Sequence, residues 1–203
     1  MTTALSRVVA DAGLRANADI CLYDVGPNVG ALNRAILLDC DYFITPVAAD
    51  LFSLRALTTV GRAIGKWYSE WQTIRTLASP ADLPFLLVGQ PSYAGYITSA
   101  FKVNAGRNAA NPHADWERRI APRVRDKISS PLRAANPALV PTYTSVKIGG
   151  VKHFHSLAPD AQRLGLAIGK LRGHVNPGHY ATVEEARTMF AGIAREICRR
   201  VGI

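Results

Sequence analysis

The chain has 203 residues, 48% of them hydrophobic and 19% charged, which is enough apolar material for a packed core and excludes an intrinsically disordered polypeptide. No run approaches the roughly 20 apolar residues of a membrane span. Residues 1–18 interleave Arg7, Asp11 and Arg15 with their apolar positions, which is not the layout of a secretory leader. Three cysteines without paired spacing exclude a zinc finger or disulfide framework and point to a reducing, cytoplasmic setting. The net charge is +9, and its distribution is uneven. Residues 1–60 carry four basic and six acidic side chains, a net of −2, whereas residues 102–133 carry eight basic and three acidic ones, a net of +5. A local excess of that sign suits either a polyanionic partner, through counterion release, or a solvated helix face.

In chain order, residues 3–16 read as an amphipathic helix. Asp19 to Asp24 is a short apolar run ending in a carboxylate and predicts a buried strand. A turn over residues 25–28 leads to helical spacing over 29–38, and Asp41 to Val47 predicts a second strand closed by Pro46. Ser53 is placed to cap a helix whose stripe runs Leu54, Leu57, Val60, Ile64, Trp67 and Trp71. Leu83 to Val88 predicts a third buried strand, and the Gly-, Asn- and Tyr-containing stretch Gly89 to Ala114 a long loop. Trp116, Ile120, Val124, Ile128 and Leu132 recur every four residues, with Arg119, Arg123 and Lys127 in the same step on another face. Pro122 inside that pattern predicts a kink or a fresh helix start. Residues 138–151 read as extended, 156–163 as a short helix, and Thr182-Val183-Glu184-Glu185 as the capping box of a last helix carrying Val183, Ala186, Phe190, Ile193, Ile197 and Val201 on one side. Strands alternating with helices predict a single α/β domain over 1–203 with a mostly parallel sheet flanked by helices. Ligands in such sheets sit outside the carboxyl ends of the strands, and Asp24 falls at one of the predicted ends.

Four apolar residues followed by Asp24, then a Gly-Pro turn and a helix of small and apolar residues (23–38), resemble the Walker-B region of the ParA/MinD group of deviant P-loop ATPases. Residues 41–57 continue the likeness with an aspartate, an apolar strand reaching a proline, and an acidic and aromatic lead into a helix. Residues 151–162 and the closing helix are similar to the family's C-terminal part, so the likeness is strongest over 19–60 and 148–203. The resemblance implies a P-loop NTPase (ParA/MinD-like) fold, ATP with Mg2+ as cofactors, a dimer, a ParB-like stimulator, and work in plasmid or chromosome segregation or cargo positioning. It gives Asp24 the role of holding Mg2+ through water and serving catalysis, and Gly26 and Pro27 that of a nucleotide-sensing turn. Family members also bind DNA without sequence preference, in the nucleoid, through basic residues late in the chain. Here that role falls to Arg118, Arg119, Arg123, Arg125 and Lys127, with Arg195, Arg199 and Arg200 as additions.

The family's phosphate loop, K-G-G-x-G-K-[ST], does not occur in these residues. Lys147 to Lys152 lacks the glycine spacing and the following Ser or Thr, and Gly169-Lys170 is followed by Leu171. The chain therefore reads as the C-terminal two-thirds of the family fold without its N-terminal P-loop strand. On that reading ATP is hydrolysed only where a P-loop comes from upstream residues or another chain. An apolar sheet edge left by the missing strand is costly, so it is expected to be covered by another chain, by rearrangement of residues 1–18 or by further residues outside this sequence. The competing readings are a non-catalytic DNA- or partner-binding module of the same fold, and an enzyme with the 89–114 loop as a lid. Asp24 also reads as a carboxylate serving its own turn, His153 and His155 as packing residues, and Cys21 and Cys40 as buried small hydrophobes.

Overall fold

The computed structural model describes residues 2–26, 30–101 and 112–203. Its elements are α1 (Thr2–Ala16), α2 (Ala31–Asp39), β1 (Tyr42–Ala48), α3 (Leu51–Leu77), β2 (Ser92–Phe101), α4 (Pro112–Val124), α5 (Ser130–Ala135), β3 (Lys147–Lys152), α6 (Leu157–Leu164) and α7 (Tyr180–Val201). The protein is α/β, with a three-stranded parallel sheet in the order β1-β2-β3 and helices against it. Backbone contacts divide the chain into two compact units. The first comprises Met1–Phe43, Arg55–Tyr93 and Arg123–Thr142, and the second Ile44–Leu54, Ala94–Pro122 and Tyr143–Ile203.

The second unit holds most of the sheet. β2 and β3 run parallel, pairing Tyr96 with Lys147, Ile97 with Gly149 and Ser99 with Val151. β1 alternates, with Phe43, Thr45 and Val47 buried, and it carries Pro46 inside the strand, which an edge position tolerates. The expected strand was thus correctly placed, but Pro46 does not end it. Phe154, Leu157, Leu171, Val183 and Ala186 form one core cluster, joining the end of β3, α6 and α7. The last helix starts at Tyr180 behind His179, with no side-chain cap, so the predicted capping box lies inside it.

In the first unit, α3 buries Leu57, Ile64 and Trp71 of the expected stripe, leaves Val60 and Trp67 half-buried, and buries Tyr68, which the expected stripe does not include. Asp50, not Ser53, caps α3: its Oδ1 accepts the Ser53 N–H at 2.7 Å. The apolar stretch 83–88 is not a strand. It is a short 3₁₀ turn (Leu83–Phe85) followed by irregular chain. The Leu87 carbonyl is met by α3 side chains rather than by a ladder, with Trp71 Nε1 and Arg75 donating to it at 3.1 and 2.6 Å, and Gln72 donates to the Gly89 carbonyl just beyond the stretch.

Residues 92–101, expected as part of a long loop, are instead the central strand, with Tyr93, Ala94 and Tyr96 buried. Tyr93 and Tyr96 are therefore core residues. Residues 102–111, including Lys102 and Arg107, lie outside the described residues.

α4 passes through Pro122 without a break, and the irregularity follows it as a π-helical turn over Arg125–Ser129. The four-residue period accounts for this. Each such step on an α-helix overshoots one turn by about 40°, so four steps drift about 160° off the face. The wider i→i+5 turn takes up that drift, and Ile120, Val124, Ile128 and Leu132 all end fully buried.

Candidate functional site

The carboxyl edge of a parallel sheet is where an α/β protein places chemistry. In the second unit that edge is followed by Asp50 after β1, and by His153 and His155 after Lys152, the last residue of β3. Asp50 is engaged in its helix cap. Lys152 pairs with Glu185 on α7 and lies 5.4 Å from the Phe154 ring centre. His155 has φ +45°, and its N–H donates to His153 Nδ1 at 3.0 Å, so the two imidazoles sit in a tight turn. Among the described residues no group of three or more His, Cys, Asp or Glu is placed to hold a metal ion.

The Walker-B-like segment differs most from expectation. Residues 20–26 have no regular secondary structure, so Asp24 does not end a strand of the sheet. Asp24 is exposed and has no hydrogen-bond or ion-pair partner among the described residues. The Gly26 carbonyl accepts from Asn33 Nδ2 at 2.7 Å, which ties the turn to α2, and Pro27 lies outside the described residues. Cys21 is exposed and Cys40 half-buried, which corrects the expectation that both are core residues. The physical reason for the missing strand is the lack of a ladder partner. An apolar run becomes a strand only when another backbone satisfies its N–H and C=O groups. With Asp24 on irregular chain and no glycine-lysine loop, the described residues do not build a nucleotide site.

Tyr23 is the segment's anchor. Its hydroxyl meets Asp39 Oδ2 at 3.3 Å, and burial, then the Asp39 charge, push its pKa up to about 12. A nearby cavity of about 390 Å³ is lined by Ser6, Arg7, Asp39, Cys40, Asp41 and Phe85, among others. Burial and the flanking carboxylates raise the Cys40 thiol to about 11, so it is protonated at neutral pH and is not an activated nucleophile. Ser6 donates to Asp39, and no histidine is among the described residues that line the cavity.

The basic residues divide by exposure. Arg118 and Arg125 are exposed and paired with Asp115 and Asp126. Arg119 is exposed and lies 5.0 Å from the Trp116 ring centre. Arg123 is half-buried and donates to Thr58 Oγ1 at 3.0 Å, and Lys127 is half-buried in the π turn. Arg118, Arg119 and Arg125 are therefore the members of the expected set that face solvent.

Arg200 does not belong with them. Its side chain is 1% exposed. It donates to the carbonyls of Ala94 (2.6 Å), Ser145 (2.8 Å), Val146 (3.3 Å) and Lys147 (3.0 Å) and to Glu196 (2.7 Å), with its guanidinium 4.6 Å from the Tyr143 ring centre. It is a structural clamp joining α7 to the starts of β2 and β3. Gly95 makes room for it: at φ +124°, a Cβ there would meet the Val146 carbonyl at 2.2 Å and Arg200 Nη1 at 2.5 Å. The signal was available in the spacing. Residues 183, 186, 190, 193, 197 and 200 alternate steps of three and four, which puts Arg200 on the buried stripe of α7. Glu196 accepts from Arg199 and Arg200, which pulls its carboxyl down to about 2, so Arg199 is also engaged.

No protein-family model and no curated protein matches the chain. Among solved structures it is similar to protein DIP2308 from Corynebacterium diphtheriae, at a TM-score of 0.55 and 21% identity, over 95% of this chain and 53% of that one. The likeness is one of fold, and the chain spans about half the length of that protein. Among the described residues no helix is long and apolar enough to cross a membrane.

Proposed function

We propose that the chain is a ParA-like partition or positioning domain. On this reading it contacts DNA through basic side chains and holds ATP only with a polypeptide that supplies the missing phosphate loop. The observation that carries this is the run 23–57, in which an aspartate-ended apolar segment, a Gly-Pro turn, a helix, and a strand with its proline follow one another in the family's order. The parallel sheet with flanking helices is compatible with it. DNA contact is assigned to Arg118, Arg119 and Arg125, helped by Arg123 and Lys127 where they reach solvent. Such contacts are charge-driven, independent of sequence and steeply salt-dependent. A ParB-like stimulator and a homodimer belong to the same reading.

A second reading, a DNA- or partner-binding module without catalysis, is favoured by the exposed Asp24 on irregular chain. Two measurements decide. Gel shifts on random-sequence duplex DNA should show affinity falling steeply as salt rises, and salt-independent or absent binding removes DNA from both readings and defeats the assignment of the basic residues to it. Calorimetry with ATP and Mg2+ separates them. Heat of binding by this chain alone that disappears in Asp24→Ala would establish an intrinsic nucleotide site, contrary to the lack of fit described above. No binding alone, but Asp24-dependent binding once a P-loop-bearing polypeptide is added, supports the first reading. No binding in either case leaves the module.

A further inference from the structure

We propose that Cys21 and Cys40 are a redox pair, which a peroxide joins into a disulfide that fastens the irregular 20–26 segment to the C-terminal end of α2. The pairing needs neither nucleotide nor DNA. The two thiols lie around Tyr23. Its hydroxyl meets Asp39 Oδ2 at 3.3 Å, Cys21 stands two residues before it, and Cys40 directly follows Asp39. The charge of Cys21 acts on Cys40, and both act on Tyr23. Interactions of this kind are largely screened beyond about 10 Å. Cys21 is exposed, and Cys40, the C-cap of α2, is half-buried on the wall of the cavity of about 390 Å³, so a small oxidant reaches both. A disulfide needs Cα atoms about 4–7 Å apart. Residues 20–26 have no regular secondary structure, so Cys21 closes to that distance without breaking a helix or a ladder.

Burial, then the charges of Asp39, Asp41 and Cys21, hold the Cys40 thiol up at about 11, so the exposed Cys21 is the sulfur that reacts first. The Cys21 thiolate, its proton given to solvent, attacks one oxygen of the peroxide. The O–O bond breaks, and the other oxygen leaves as hydroxide and takes up a proton to become water. Cys21 is then a sulfenic acid. The Cys40 sulfur attacks the Cys21 sulfur, the S–S bond forms as the S–O bond breaks, and the Cys40 proton leaves with the departing hydroxyl as a second water. Two thiols are oxidised by two electrons to one disulfide, and one peroxide is reduced to two waters. Cys198 belongs to the other unit and takes no part.

The test treats the full chain at low micromolar concentration with equimolar hydrogen peroxide, blocks the remaining thiols with iodoacetamide and digests with trypsin without reduction. Cleavage after Arg15, Arg34 and Arg55 puts Cys21 on peptide 16–34 and Cys40 on peptide 35–55, so their linkage is read as one joined mass that dithiothreitol splits. That joined mass, from a chain of monomeric size, is the expected result. In Cys40→Ser, or Cys40→Ala if the serine variant unfolds, Cys21 should stop at the sulfenic acid and be trapped by dimedone. Tyr23→Phe should lower the yield of the linked pair about threefold without slowing dimedone labelling of Cys21 in the Cys40→Ser background, because the hydroxyl positions the segment and does not activate the sulfur. An unchanged yield removes Tyr23 from the pairing. Residues 21 and 40 also meet in the unfolded chain, so the ratio of Cys21–Cys40 to Cys21–Cys198 linkage should be about tenfold higher in the native protein than in concentrated urea. An equal ratio in both, linkage mainly to Cys198 or between chains, or Cys21 carried on to sulfinic acid with Cys40 still alkylated overturns the proposal. Chymotrypsin cleavage after Leu22 and Tyr23 should slow about threefold in the linked chain, and an unchanged rate overturns the fastening.

Discussion

The joint between α7 and the sheet and the segment 19–26 are opposite solutions to one problem, the satisfaction of backbone polar groups. At the joint, four carbonyls at the starts of β2 and β3 are met by one guanidinium that is itself almost fully buried. In the segment, a row of backbone groups meets no described partner and the apolar side chains face water. The first region contains within one unit all that it needs to be rigid. The second has the composition of a strand but lacks a neighbour. Composition sets what a segment is able to become, and the ladder partner decides whether it does.

The contrast is broken most severely at Arg200. Arg200→Ala leaves four carbonyls without their donor and removes one of the two arginines on Glu196, and should cost about 3–5 kcal/mol in urea unfolding. Arg200→Lys should recover only part of that, since an ammonium lacks the planar fork. Loss of less than about 1 kcal/mol in the alanine variant would show that the clamp is dispensable. Gly95→Ala follows, at roughly 2–3 kcal/mol. It forces a side chain into the left-handed region and against the Val146 carbonyl, and the same unfolding curves check it. Arg118→Ala with Arg119→Ala should leave stability nearly unchanged and lower the slope of log K against log salt for DNA by about two, one for each phosphate no longer neutralised. An unchanged slope would remove these two residues from the interface.

The smallest effect concerns pH. The Glu196 carboxyl lies below its ordinary value of 4.5, at about 2, because Arg199 and Arg200 donate to it. Its contribution to stability is thus fully present above about pH 4.5 and fades as pH falls through about 2. The stability difference between the wild type and Glu196→Gln should be constant above that window and shrink inside it. A difference that stays constant down to about pH 2 would mean the carboxylate is not held by the arginines.

Elements with strong periodicity were legible in the sequence: α1, α2, α3, α6, α7 and β1 lie close to where spacing puts them. β2 was hidden because Gly95, Ser92 and Ser99 give it a loop's composition, and Gly95 is there for Arg200 rather than for a turn. Residues 83–88 look like a strand because they are apolar, but the stretch opens on a 3₁₀ turn and α3 side chains occupy the Leu87 carbonyl. Of the candidate site, the solvent-facing arginines of α4 were readable from charge alone. The burial of Arg200 needed the three-four spacing to be followed one residue group further. The state of Asp24 was beyond the sequence, since it depends on a neighbouring strand and not on the residues around it.

The π turn at Arg125–Ser129 has a consequence for chain length. It acts as one residue inserted into an otherwise α-helical rod, and its wide winding absorbs that residue. Deleting a single residue there would let the rod wind as ordinary α-helix with Leu132 still facing the interior. A one-residue gap inside the turn should therefore be tolerated better than the same gap in the regular part of α4, where it would rotate everything beyond it by about 100°.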